Sequence, residues 1–115
     1  MKLTLGPVLF NWQAATWRDF YFRIADEAPI DTVVVGEVVC SKRLPFFAGH
    51  IPAVIDRLVG AGKEVLLGSL ALVTLERERR ATAVLAEASD AMVEANDVSC
   101  LAHLHGSRHA IGPFI

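Results

Sequence analysis

A parallel α/β sheet built from successive βα units is the fold class this sequence predicts. Two observations predict it. Short aliphatic runs alternate with helical runs along the whole chain, in the order β-α-β-α-β-α-β-α-β. Alternation of this kind builds right-handed βαβ units around a parallel sheet. The second aliphatic run, Thr32-Val33-Val34-Val35, has no polar alternation, which is the habit of strands covered on both faces. An open doubly wound sheet and a partial barrel both satisfy these patterns.

The elements follow in order. Leu3 to Leu5 reads as the first strand, with an extension toward Val8-Leu9 interrupted by Gly6-Pro7, since proline donates nothing to a ladder. A helix is expected from Thr16, with Asp19 three residues later as a capping-box-like signal. Trp17, Phe20, Tyr21 and Ile24 share one face of it and read as core packing against a sheet rather than an aromatic cage. Thr32–Val35 is the second strand, ended by Gly36-Glu37. A second helix is expected near His50, with Pro52 tolerated in its first turn and Ile51, Val54, Ile55 and Leu58 as its buried stripe. Gly60 and Gly62 close it. Val65 to about Leu70 is the third strand, and Thr74 to Ala86 the third helix. The mixed-sign cluster Glu76-Arg77-Glu78-Arg79-Arg80 reads as a solvated face with internal ion pairs. Ala91 to Ala95 is the fourth strand. Asp97 caps a short fourth helix to about His105, Gly106 ends it, and Ala110-Ile111 opens a fifth strand.

Composition sets bounds on function. The 115 residues suggest one domain, 1–115. Hydrophobic residues make up 53% and mean hydropathy is +0.41, high for so small a domain, which needs polar residues to cover its large relative surface. Some apolar surface is therefore expected to meet a partner or another part of a longer chain. The formal net charge of −2 carries no basic footprint, so no nucleic-acid partner is expected. No apolar run approaches the roughly 18 residues of a membrane span, and the N-terminus does not read as a signal peptide; the expected location is the cytoplasm. Two cysteines are too few for a disulfide scaffold, so a free thiol or a metal ligand is the better expectation. There is no GxGxxG, phosphate-binding lysine loop or GxSxG elbow. The spacing of His103, His105 and His109 does not resemble a helical zinc motif.

Four stretches carry a family resemblance: Leu5-Gly6-Pro7-Val8-Leu9-Phe10-Asn11-Trp12; Gly36-Glu37-Val38-Val39-Cys40-Ser41-Lys42-Arg43; Gly62-Lys63 leading to Ser69-Leu70-Ala71-Leu72-Val73; and Glu94-Ala95-Asn96-Asp97. In order and spacing they resemble the ubiquinone-biosynthesis branch of the U-thirty-two peptidase-like family, and the likeness spans essentially the whole chain. The resemblance implies a (β/α) half-barrel, the N-terminal part of a TIM-like barrel with parallel strands. It further implies an iron–sulfur subunit of an oxygen-independent system that hydroxylates the ubiquinone ring. The partner would be a UbiU-like sister protein, and each subunit would hold a [4Fe–4S] cluster on four cysteines. Cys40 matches the first cluster ligand. The other three would come from a second half that these residues do not include, so no cluster is expected on this chain alone, which is expected to be inactive by itself. Relatives in the wider family modify RNA, and the peptidase label attaches to the family as a whole. A peptidase, an RNA-modification protein and a non-catalytic half-barrel scaffold are the alternatives.

In barrels the reactive groups gather at the C-terminal ends of strands. Glu37 and Glu94 are the acid–base candidates there, against a structural role binding loop amides or helix N-termini. Asn11, Lys42, Arg43 and Asp97 are the substrate-binding candidates. Lys42 and Arg43 lie beside Cys40, where they would lower its pKa or balance an anionic cluster, or serve as solvated loop charges. Cys100 reads as a buried, inert thiol. A half-barrel would leave its first and last strands unpaired and the inner faces of Val33, Val35, Leu67 and Val93 bare. Self-association, most simply a homodimer, is therefore expected.

Overall fold

The computed structural model describes residues 1–87, 91–104 and 106–115. Five parallel strands form one sheet in sequential order and curl into a half-barrel with helices interleaved between them. The strands are β1 (Thr4–Leu5), β2 (Thr32–Val35), β3 (Glu64–Gly68), β4 (Met92–Ala95) and β5 (His109–Ile111). The helices are α1 (Ala14–Glu27), the short α2 (Leu44–Phe47), α3 (Ile51–Gly60), α4 (Glu76–Glu87) and the single-turn α5 (Val98–Leu101). No helix among the described residues is long and apolar enough to cross a membrane.

The sheet register sorts side chains into two faces. Val33 stands beside Val65 and Val35 beside Leu67, while Leu67 stands beside Val93. Because strand side chains alternate, these residues share one face and Val34 and Leu66 take the other. The first face is the helix face. Val33 and Val35 are buried with Trp17, Tyr21 and Ala25 of α1, Phe47 of α2, and Val54 and Leu58 of α3. Val93 and Ala95 form a second cluster with Ala86, Cys100 and Leu104. This corrects the expectation that Val33, Val35 and Val93 line a bare inner surface: the helices cover all three. The opposite face is covered as well. Val34 and Leu66 are buried, because the loops after β2 and β3 fold back across the concave side. The Ala71 amide donates to the Val38 carbonyl at 2.8 Å, and Val38 and Val34 press so closely on Gly68 that a Cβ there would meet them at 3.0 and 3.1 Å.

Several element boundaries differ from expectation. Helix α1 begins at Ala14 behind Gln13, which makes no side-chain cap; Asp19 pairs with its neighbour Arg18 at 2.9 Å instead of capping. The core stripe of α1 is as expected, with Trp17 and Tyr21 buried and Phe20 and Ile24 packed beside them. Residues 41–50 form two 3₁₀ turns around α2, an ordered segment that the pattern gave as loop. Strand β1 is only two residues long. Asp97 caps α5 by accepting the Ser99 amide at 2.9 Å, but α5 ends at Leu101. The expected helix end at His105 lies outside the described residues.

Candidate functional site

The C-terminal ends of the strands form a continuous polar rim. Its left part is the loop after β2. Gly36 has φ of +134°, and a Cβ there would press on the Gly68 carbonyl oxygen at 3.0 Å, so glycine alone turns the chain out of β2 at this point. Glu37 follows and is buried. Its Oε2 accepts the amides of Val39 and Cys40 at 2.7 and 3.0 Å, closing a compact turn that holds Cys40. The Cys40 thiol is half-buried and free. Arg43 spans to the loop after β1 by donating to the Leu9 carbonyl at 2.9 Å. Lys42 and Asn11 are exposed. Trp12, next to Asn11, stacks on Phe10 and meets Phe20 edge-on.

The right part of the rim is a hydrogen-bonded network across β3, β4 and β5. Asn96 is fully buried. Its backbone N–H donates to Ser69 Oγ at 2.9 Å, and Nδ2 donates to the Ser69 carbonyl at 3.2 Å and to Glu94 Oε1 at 3.1 Å, while its Oδ1 has no hydrogen-bond partner among the described residues. Ser69 in turn donates its own amide to the Glu94 carbonyl at 3.0 Å. The Gly112 amide donates to the Ala95 carbonyl at 2.8 Å, bringing its Cα against Asn96 Oδ1. Cys100 is buried beside this network. Burial pushes its thiol pKa up, and a hydrogen bond with Ser69 only partly offsets that.

Among the expected acid–base candidates, Glu94 thus serves a buried amide network and Glu37 serves loop amides. The two stand in different settings. Glu37 lines a cavity on the helix side of the sheet, whereas Glu94 shares a face with Gly68. Asp97 is engaged as the α5 cap. Among the described residues no group of three or more His, Cys, Asp or Glu gathers at metal-binding spacing. One half-buried thiol, Cys40, does not satisfy a cluster that takes about four thiolates, and Cys100 is sealed in the β4–α5 cluster.

The cavity occupies about 320 Å³ between α3 and α4, over the outer faces of β2 and β3. Leu44, Ile55, Leu67, Leu70 and Leu85 are among its apolar walls, and Glu37, Arg77 and Thr82 bring polar atoms to it. Thr82 is 2% exposed, and its hydroxyl has no hydrogen-bond partner. Sequence reasoning missed this site and the central place of Asn96. Arg77 and Thr82 sit inside a helix whose charges looked like a solvated face. Arg77 keeps to the exposed face the sequence predicts, with Glu76 paired to Arg79 and Arg80 beside it, and only Thr82 is turned inward, by a gap between two helices that no local pattern records. The chain matches no family model, and no solved structure matches it.

Proposed function

We propose that this chain forms the N-terminal half of a UbiV-like iron–sulfur protein of the U-thirty-two peptidase-like family. In this reading the protein acts with a UbiU-like partner in oxygen-independent hydroxylation of the ubiquinone ring. One observation carries the reading: most of the quoted family-like residues fall on loops that leave the C-terminal ends of β1, β2, β3 and β4, the ends where barrel enzymes keep their chemistry. Cys40 contributes one cluster thiolate from the turn that Glu37 braces, and the remaining three come from a second half of the barrel. Arg43 pins that turn to the loop after β1. The network of Ser69, Glu94 and Asn96 keeps the β3 and β4 ends rigid.

The test is iron and acid-labile sulfide analysis under anaerobic conditions. It compares the 115-residue chain with the protein encoded by its gene together with any coding sequence beyond Ile115. The reading predicts a cysteine-rich continuation and a cluster on the longer protein only, lost in its Cys40→Ala variant. A stoichiometric cluster on the 115-residue chain, or one that survives Cys40→Ala, contradicts it.

A second reading, a half-barrel that pairs with another copy of itself, is favoured by the two sheet edges. Among the described residues, strand β1 pairs only with β2, and β5 only with β4. Ile111 of β5 is 57% exposed, and Phe114 and Ile115 lie exposed just beyond it. Unpaired edges flanked by apolar side chains readily take up a strand from another chain.

A further inference from the structure

Exposed apolar side chains crowd the loops that leave β1, β2 and β3. Phe10 and Phe46 are each 72% exposed and Leu72 is 67% exposed, and Leu9, Val39 and Leu75 are exposed in the same three loops. Leu9 and Phe10 precede α1, Val39 and Phe46 lie between β2 and α3, and Leu72 and Leu75 precede α4. All six therefore stand at the C-terminal rim of the parallel sheet. Three hydrogen bonds tie these loops into one surface. Arg43 donates to the Leu9 carbonyl at 2.9 Å, the Ala71 amide donates to the Val38 carbonyl at 2.8 Å, and the Ser41 hydroxyl donates to Glu78 at 2.6 Å. Apolar side chains scattered singly over a protein need no explanation, but a gathered set marks a place of interaction.

Charge identifies the occupant. The three loops, residues 6–13, 36–50 and 69–75, contain Lys42, Arg43 and a single carboxylate, Glu37, which is buried and holds loop amides. The carboxylates that open α4 are engaged as well. Glu76 pairs with Arg79 and Arg80, and Glu78 accepts the Ser41 hydroxyl and the amides of Thr74 and Leu75. The rim is thus apolar and locally basic on a chain whose formal net charge is −2. We propose that this rim docks on the surface of a bilayer containing anionic lipid. Phe10, Phe46 and Leu72 dip into the boundary between headgroups and acyl chains, and Lys42 and Arg43 meet lipid phosphates. Buried apolar area and attraction to anionic headgroups together set the strength of such binding. Two features select a bilayer over a protein. The apolar tips stand on separate loops, so a protein would need a shaped pocket for each, whereas a fluid bilayer yields to any of them. Trp12, which stacks on Phe10, adds the amphipathic ring that favours the headgroup level. The docking needs neither an iron–sulfur cluster nor an unpaired sheet edge, so it stands or falls separately from both readings above.

Co-sedimentation of the 115-residue chain with vesicles tests this, using phosphatidylcholine alone and an equal mixture of phosphatidylcholine and phosphatidylglycerol. The expected result is binding to the mixed vesicles about tenfold tighter than to the neutral ones, weakened by added salt. Phe46→Ser and Leu72→Ser, both at exposed positions, should each weaken binding about tenfold through lost apolar burial. Lys42→Glu should remove most of the preference for the anionic vesicles. Val84→Ser, at a position exposed on α4 away from the rim loops, should change nothing. Absence of binding at millimolar lipid, equal binding to both kinds of vesicle, or a loss with Val84→Ser as large as that with Phe46→Ser would overturn the assignment. So would a dimer, formed without lipid, that Phe46→Ser dissolves, since the rim would then belong to a second copy of the chain.

Discussion

Gly112 has no room for a side chain. A Cβ there would overlap the Asn96 carboxamide, at both Oδ1 and Cγ, and press on Glu94. Gly112→Ala should therefore destabilise the chain by about 3 kcal/mol or more, the upper end of overpacking costs, measured by urea denaturation. Combining it with Asn96→Ala should cost less than the sum of the two single changes, since the overlap is then relieved. The two thiols give a second residue-scale prediction. An aromatic disulfide reagent at pH 8 should label Cys40 promptly and Cys100 only after unfolding, because Cys100 is fully buried and its thiol pKa is pushed up. A Cys40→Ala chain that still shows prompt labelling would refute this. The inert character of Cys100 was legible in the sequence from its apolar neighbours. The role of Asn96 was not, because it depends on Gly112, which a strand crossing brings to it from a distant part of the chain.

At the scale of elements, α4 owes its start to Glu78. Oε1 accepts the amides of Thr74 and Leu75 at 3.2 and 3.0 Å, and Oε2 accepts the Ser41 hydroxyl at 2.6 Å. The side chain thus caps the helix and ties it to the loop after β2. The Ser41 hydroxyl and the two amides hold the Glu78 carboxyl at about 2, below its ordinary 4.5. A carboxylate whose pKa is lowered by folding stabilises the folded state above its unfolded pKa, and that contribution disappears as pH falls through the folded value. The stability gap between wild type and Glu78→Gln should be full above about pH 5 and should close between about pH 4.5 and 2. A gap constant over that range would show that the charge of Glu78 is not what matters. The sequence put helices and strands in the right order because each carries its own periodicity. It misplaced the start of α1, where no side chain caps the helix, and it missed α2, a four-residue helix too short to show a period.

At the scale of the whole molecule, the parallel order and the βα alternation were legible because each strand–helix unit repeats the same local pattern. Which face each strand turned inward was not, since all four residues of β2 are β-branched and buried and alternation leaves no mark on such a run. The structure puts Val33 and Val35 under α1 and α3 and lets the loops after β2 and β3 cover Val34, so the sheet itself is sheltered on both sides. Exposed apolar side chains at the β5 edge include Ile111, Phe114 and Ile115, and others, such as Phe10, Phe46 and Leu72, lie elsewhere on the surface. The open edges of a half-barrel call for a second chain or a second half, and light scattering of the purified 115-residue chain at micromolar concentration reads this out. The expected result is a dimer that Ile111→Lys, placing a charge on the β5 edge, converts to a folded monomer. A stable, monodisperse monomer of the unaltered chain that binds no apolar dye would contradict it.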